Sequence, residues 1–172
     1  NDFLGRDNTQ DQDEVTLRGK LKWLAADNLT IDLSYLHLDI DNGYDAFTLD
    51  NSRNSLSDDL GEDKQRSNAV AVKADWQPNE AIIIQTEATY VESDITYSYD
   101  VDWGFDGQFA PALFPFVGFD LFERERENHS LELRVLSDET GRLFNGTTDW
   151  TIGIYHLEQD EDFEQNSDYG VF

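Results

Sequence analysis

The sequence contains no cysteine and no methionine. Without cysteine, a disulfide framework, a thiolate metal site and a thiol nucleophile are excluded. Basic residues are also few, because 12 lysines and arginines stand against 37 aspartates and glutamates and give a formal net charge of −25. Such a charge repels nucleic acid, so we predict no nucleic-acid partner and expect cations as the natural counterparts.

Long apolar runs are missing as well. The longest uninterrupted run covers residues 81–84, whereas a transmembrane helix needs about 20 predominantly apolar residues. If the chain enters a membrane, we therefore expect it to do so as β-strands. The first residues also lack the charged and apolar segments of a signal peptide, which predicts a mature chain or an excised fragment.

The clearest positive feature is the alternation of apolar and polar residues. In residues 15–23 every odd position is apolar or glycine and every even position is polar, which is the pattern of a strand with one apolar face. The same kind of pattern recurs along the chain. We predict six antiparallel strands, over residues 15–23, 29–35, 70–76, 82–90, 129–135 and 150–156.

The predicted connections alternate between short and long. Residues 25–28 and 77–80 form short turns and residues 138–149 a moderate one, whereas residues 39–67 and 97–122 form long connections and residues 158–172 an acidic loop. Outer-membrane barrels combine short periplasmic turns with long external loops in this way. A soluble meander has no reason to alternate its loop lengths.

Aromatic residues border the predicted apolar face at both ends. Trp23, Trp76 and Trp150 each stand beside a short turn, and Tyr35 and Tyr90 stand at the opposite end of their strands. Amphipathic rings prefer the depth at which a membrane meets water, so we predict a membrane-interface girdle. The competing interpretation is that these rings fill the core of a soluble β-sandwich.

A second group of aromatic residues lies in the second long connection. It has more aromatic surface than a solvated loop needs, which makes it a candidate ligand-contacting loop. Packing of the loop against itself explains the composition equally well. The residues are Trp103, Phe105, Phe109, Phe114, Phe116 and Phe119.

Catalytic and metal-binding patterns are not found. The carboxylates show no catalytic spacing, and His37, His129 and His156 lie far apart in sequence, each continuing a strand pattern. We therefore predict no enzyme, no catalytic residue, no metal site and no cofactor. Weak divalent-cation binding by acidic stretches such as residues 57–59 and 159–162 is left as a hypothesis.

Several segments together resemble a known family. Residues 1–9, 13–21, 39–47, 128–135 and 149–155 are similar, in this order, to the barrel of TonB-dependent receptors of the bacterial outer membrane. The resemblance implies a barrel of about 22 strands closed around an N-terminal plug. It also implies uptake of a siderophore, a vitamin cofactor, a glycan or a similar nutrient, driven by the TonB complex.

These observations combine into one expectation. Residues 1–172 are expected to form a partial receptor barrel, an antiparallel transmembrane β-barrel segment of about six amphipathic strands without a plug domain. Its partners would be outer-membrane lipid and lipopolysaccharide, the plug and TonB complex of the full-length protein, and a small-molecule nutrient. Two alternatives are a small complete barrel of about eight strands, acting as an anchor or pore, and a secreted acidic β-sandwich that binds a partner.

Overall fold

The computed structural model describes residues 1–48, 50–108 and 117–170. They form one antiparallel sheet, and each strand pairs with the next in sequence. The predicted all-β meander of six strands is confirmed. The strands are β1 (Glu14–Ala26), β2 (Leu29–Tyr44), β3 (Gly61–Asn79), β4 (Ile82–Asp100), β5 (Phe119–Ser137) and β6 (Thr151–Asp168), with a 3₁₀ turn at Glu139–Gly141.

The sheet is open within the described part of the chain. β1 and β6 are its two edges, so these six strands alone do not close a small barrel. Among the described residues, no helix has both the length and the apolar character needed to cross a membrane.

The strands are longer than the sequence predicted. β2 continues to Tyr44 and β3 begins at Gly61, so the first long connection is residues 45–60 rather than 39–67. β4 continues to Asp100 and β5 begins at Phe119, which reduces the second to residues 101–118. The acidic stretch after residue 158, predicted as a loop, belongs to β6 as far as Asp168.

The sequence pattern predicted strands that are too short because one face of the sheet changes from apolar to polar along the strands. We call the half of the sheet beside the short connections the lower half and the half beside the long connections the upper half. In the lower half this face, face A, is apolar, and one register row consists of Leu21, Leu33, Val72, Ala88, Leu131 and His156. In the upper half a row of face A consists of Val15, Asp39, Arg66, Asp94, Glu125 and Asp162.

The opposite face, face B, changes in the reverse sense. Its lower half is polar and contains the register row of Lys22, Asp32, Lys73, Glu87 and Glu132. Its upper half contains Ile40, Ile95, Tyr97, Phe122 and Phe163. A prediction that requires apolar residues at every second position on the same face therefore ends each strand too early, where face A becomes polar and face B becomes apolar.

Ion pairs across neighbouring strands are consistent with this register. Lys22 Nζ lies 3.0 Å from Asp32 Oδ1 on face B. On face A in the upper half, Arg66 lies 3.6 Å from Asp39. Exposed pairs of this kind each contribute at most about 1 kcal/mol, so the register is set mainly by the apolar rows.

The sheet has no hydrophobic core among the residues described. All side chains that are buried there are polar, for example Ser98, Asp120 and Asn42. Large apolar side chains of face A are instead exposed: 58% for Leu21, 57% for Trp23 and 69% for Ile154. A β-sandwich would need a second layer over face A, and the described residues supply none. An apolar surface of this extent is a contact surface for lipid or protein.

Candidate functional site

A cavity of about 750 Å³ opens on face B in the upper half. Its walls are almost entirely apolar or aromatic, and strands β4, β5 and β6 contribute together with both long connections. Pockets of this size with few polar groups are the usual form of a small-molecule site. The lining residues are Phe47, Ile95, Tyr97, Tyr99, Val101, Trp103, Phe122, Arg124 and Phe163.

The strand part of the cavity is an aromatic wall built by the register. Tyr97 and Tyr99 are two residues apart on β4, so both side chains point to face B. Phe122 is the register partner of Tyr97 on β5, and the ring centroids of Tyr99 and Phe122 lie 6.1 Å apart with planes 12° apart. Phe163 on β6 continues the wall at 6.2 Å from Phe122.

The two long connections meet over this wall. Phe47 and Trp103 stack with their ring centroids 4.9 Å apart and their planes 15° apart. Trp103 also has a φ of 60°, in the left-handed region that non-glycine residues rarely occupy. Residues more than 50 positions apart in sequence thus form one edge of the cavity, and the sequence alone gave no sign of this contact.

The predicted ligand-contacting loop is only partly in this position. Trp103 lines the cavity, whereas Phe105 stacks on Phe3 at 4.5 Å and is not among the lining residues. Phe119 is the first residue of β5, so it belongs to the strand and not to the loop. Phe109, Phe114 and Phe116 lie outside the described residues.

Arg124 is the only charged residue among those that line the cavity. Its guanidinium carbon lies 5.2 Å from the ring centroid of Phe163, in a cation–π position. Its Nε is 3.4 Å from Glu161 Oε1 but is buried and donates no hydrogen bond to any described residue. Arg124 therefore brings to the cavity a positive charge that is paired with Glu161 and can also attract an anionic or carbonyl oxygen of a ligand.

The tyrosines of the wall keep their hydroxyl protons at neutral pH. Burial raises the pKa of Tyr97, and its hydrogen bond with Tyr44 raises it further. Burial also raises the pKa of Tyr99, which donates to Asp120 Oδ2 at 3.2 Å. The wall therefore presents neutral phenols and phenyl rings, without an acidic residue in the lining.

The predicted girdle residues lie on or next to face A. Tyr35 and Tyr90 share a register row with Val70 between them. Tyr35 donates to Asn68 at 2.9 Å, and Tyr90 donates to Glu127 at 2.6 Å. Both acceptors belong to the next row toward the upper half, so each ring lies in the apolar rows while its hydroxyl reaches the first polar row.

The tryptophans lie at the lower end of the sheet. Trp23 and Trp76 are 57% and 44% exposed on face A in neighbouring rows. Trp150 directly precedes β6, and its Nε1 donates to the carbonyl oxygen of Gly141 at 2.8 Å. The three rings thus occur at the end of the sheet that the sequence indicated.

Two of the three histidines come together, although they lie far apart in sequence. The pairing of β5 with β6 places the rings of His129 and His156 6.5 Å apart, with Glu158 Oε2 at 3.1 and 3.7 Å from their Nε2 atoms. His37 is separate and hydrogen-bonds Asn68. The pair is exposed at the upper edge of the apolar rows. It shows that strand register, which one sequence does not reveal, decides which titratable groups meet.

Comparison with models of known protein families, with curated proteins and with solved structures gave no match for this chain. Function is therefore inferred from the two faces of the sheet and from the cavity.

Proposed function

We propose that this chain forms part of the wall of a bacterial outer-membrane β-barrel, in a TonB-dependent receptor that takes up a small-molecule nutrient. In this proposal the lower half of face A contacts lipid and face B lines the barrel interior. The protein performs active transport rather than catalysis. The observation that carries the proposal is an apolar band that crosses the strands obliquely.

The upper edge of this band descends from β1 to β6, with a level stretch at Tyr35, Val70 and Tyr90 on the three strands β2, β3 and β4. On β1 the apolar positions of face A extend up to Val15, and the register relates Val15 to Asp162 on β6. On β6 the apolar positions end at Ile154, eight residues before Asp162. At about 3.3 Å per residue and about 4.8 Å per interstrand step, the mean inclination of the edge between β1 and β6 is roughly 45° to the perpendicular of the strands.

This inclination is the one a membrane sheet requires. Strands of outer-membrane barrels tilt by about 35–45° from the membrane normal. A band inclined by the same angle relative to the strands is parallel to the membrane plane. A soluble sheet that packs against another layer has no reason for its apolar edge to lie so much lower on one edge strand than on the other.

The polar upper half of face A suits the outer leaflet and the space beyond it. The row above Tyr35 and Tyr90 contains Glu92, Glu127 and Asp160, and further carboxylates follow. Lipopolysaccharide at that level is anionic and cross-bridged by divalent cations, which carboxylates also attract. Tyrosine rings with their hydroxyls in the polar row fit the aromatic belt of a membrane interface.

Strand length supports a receptor rather than a minimal barrel. β3, β4 and β5 each have 19 residues, whereas about 9–11 residues span a membrane. The excess lies in the upper half and carries the aromatic cavity above the membrane, where a receptor captures its ligand. A plug domain encoded upstream and further amphipathic strands encoded downstream would separate the receptor from a small anchor or pore.

We assign the cavity a share in binding the nutrient. Stacked rings bind flat, apolar or aromatic groups, and the guanidinium of Arg124, although it pairs with Glu161, favours an anionic substituent. Among the described residues that line the cavity there is no carboxylate. The cavity therefore suits a planar aromatic ligand that carries a negative charge.

Quenching of tryptophan fluorescence by brominated lipid tests the membrane orientation. In vesicles of lipid brominated on the acyl chains, we expect strong quenching of Trp23 and Trp76, which are exposed on face A, and little quenching of Trp103 in the cavity. Single Trp→Phe variants assign the signals. A monodisperse protein without detergent whose Trp23 and Trp76 are unquenched would contradict the membrane assignment and favour a soluble sheet.

Binding of 2-naphthoate, an aromatic carboxylate, tests the cavity. In the full-length receptor we expect quenching of Trp103, and Arg124→Gln should weaken binding about tenfold, because one charge-assisted hydrogen bond is lost. Arg126→Gln is the matched control, since Arg126 lies two residues further on the same face, pairs with Glu161 at 2.6 Å and is outside the cavity lining. Equal weakening by both substitutions would contradict the role of Arg124.

A further inference from the structure

Three aspartates meet at the upper end of the sheet, and we call them the aspartate cluster. Asp100 is the last residue of β4, Asp102 follows in the second long connection, and Asp58 belongs to the first. One carboxylate oxygen of each lies within 4.8 Å of the other two. The end of β4 and the two long connections, which include residues distant in sequence, therefore bring three carboxylate oxygens close together.

Backbone N–H groups hold each of these carboxylates in place. Asp100 Oδ1 accepts hydrogen bonds from the N–H groups of Asp102 at 2.9 Å and Trp103 at 3.0 Å. Asp102 Oδ1 accepts from the N–H of Gly104 at 2.8 Å, and Asp58 Oδ2 accepts from the N–H of Asp106 at 2.9 Å. The carboxylates are positioned without any of them gaining a positive partner.

The remaining oxygens of Asp100 and Asp102 are the unusual feature. Oδ2 of Asp100 and Oδ2 of Asp102 are buried and accept no hydrogen bond from the described residues, and Asp100 is only 6% exposed. No ion pair in the described part of the chain includes a member of the cluster. A buried carboxylate oxygen without a donor or a cation is strongly unfavourable.

Asp45, in the same region, shows how the chain satisfies a partly buried carboxylate with its own donors. Its oxygens accept hydrogen bonds from the side chains of Asn1, Thr9, Ser55 and Ser57, at 2.5–3.0 Å. Burial raises the pKa of Asp45, but these four hydrogen bonds outweigh it and lower the pKa overall. The aspartate cluster has no such set of donors around its second oxygens.

Electrostatics within the cluster is repulsive. Burial, the charge of Asp102 and a hydrogen bond shared with Asp102 together raise the pKa of Asp100 to about 7. Burial likewise raises the pKa of the neighbouring Asp59, with contributions from Asp58, Asp102 and Asp168. Several carboxylates thus share a region in which only a proton or a cation relieves their repulsion.

We propose that the aspartate cluster binds a calcium ion. Calcium takes six to eight oxygen ligands in flexible geometry, whereas magnesium retains several of its waters and zinc prefers nitrogen or sulfur. The carboxylates of Asp100 and Asp102, each with one buried and unpaired oxygen, and that of Asp58 within 4.8 Å supply hard anionic ligands. The ion joins the two long connections and fixes Trp103, whose N–H is bound to Asp100, at the edge of the cavity.

Calorimetric titration of the full-length protein with calcium chloride tests this site. We expect one binding event in the range of about 10⁻⁴–10⁻³ M typical of extracellular calcium sites. Asp100→Asn should weaken it at least about tenfold, as should Asp102→Asn. Asp160→Asn removes the same charge from the exposed acidic surface of β6 and should leave the affinity unchanged. Equal affinity in all four proteins, or no calcium uptake by the wild type, overturns the proposal in favour of a shared proton.

Terbium luminescence gives a second measurement that does not depend on a change in affinity. Terbium replaces calcium, and tryptophan close to the ion sensitises its emission. With excitation at the long-wavelength edge of tryptophan absorption, where the nearby Tyr99 hardly absorbs, we expect emission that calcium displaces and that Trp103→Phe abolishes, because the other tryptophans of this chain lie at or near the lower end. Emission that persists in Trp103→Phe places the ion elsewhere and overturns the proposal. The calcium site stands apart from the transport function, since lipid quenching of Trp23 and Trp76 tests the latter independently.

Discussion

Replacing Val72 by arginine is expected to destabilise the membrane-inserted protein by about 2–4 kcal/mol, the cost of a lipid-facing arginine near the middle of a barrel strand. Val72 lies at the centre of the apolar band, in a row with Leu33 and Ala88, and is 38% exposed on face A. No described residue on that face in the lower half offers a carboxylate to the new charge. The guanidinium would therefore face acyl chains.

Ala71→Arg is the matched control for this substitution. Ala71 is the preceding residue and points to face B, where Asp32 and Glu87 line the same surface depression. A charge there is solvated or paired inside the barrel, so we expect a change below about 1 kcal/mol. Urea titration of the full-length protein in lipid vesicles measures both. Equal destabilisation by the two variants, or none by Val72→Arg, would contradict the assignment of face A to lipid.

The lower half of the sheet could be predicted from the sequence because its structure depends on residues that are close together in the chain. Alternation along a single strand reports which residues share a face, and short turns fix the pairing of neighbours. The contact of Lys22 with Asp32, at 3.0 Å, is consistent with these two rules. Aromatic residues beside the turns were located by the same argument. None of these features requires knowledge of distant contacts.

The upper half could not be predicted in the same way. Its strands carry charges on face A that are favourable only next to a partner on another strand, as Arg66 is next to Asp39. Taken alone, such a segment has the composition of a loop. Likewise the stacking of Phe47 on Trp103 joins two connections whose paths depend on the whole sheet. The alternation of Tyr97 and Tyr99 was the one local signal of the aromatic wall.

The proposed roles divide between the lower and the upper half of the sheet. The lower half spans the membrane in the proposed function, while the upper half supplies the aromatic wall and the aspartate cluster. Trp103 belongs to both of these features, since its ring lines the cavity and its N–H is bound to Asp100. Cation binding at the cluster is therefore expected to affect the order of the cavity edge more than the stability of the membrane segment.

Gly61→Ala is expected to have the second large effect, and to confine it to the upper half. Gly61 begins β3 opposite Tyr44, and a Cβ at this position would collide with the backbone carbonyl oxygens of Ser98 and Tyr44. Because these oxygens belong to the backbone of paired strands, they cannot move away from the added methyl group as the end of a flexible side chain could. We expect a loss of about 1–3 kcal/mol, as for other overpacked sites, with local separation of β2, β3 and β4.

Hydrogen exchange of the full-length protein distinguishes this local opening from global unfolding. Amides near Tyr44 and Ser98 should exchange faster in Gly61→Ala, whereas amides of the lower half should keep their protection. Gly19→Ala is the control, because a Cβ at Gly19 meets nothing within 4 Å and alanine restricts the unfolded chain more than glycine does. Its stability should be equal to or slightly above that of the wild type. Unchanged exchange at Tyr44 in Gly61→Ala would mean that the upper strands are not packed as closely as the register requires.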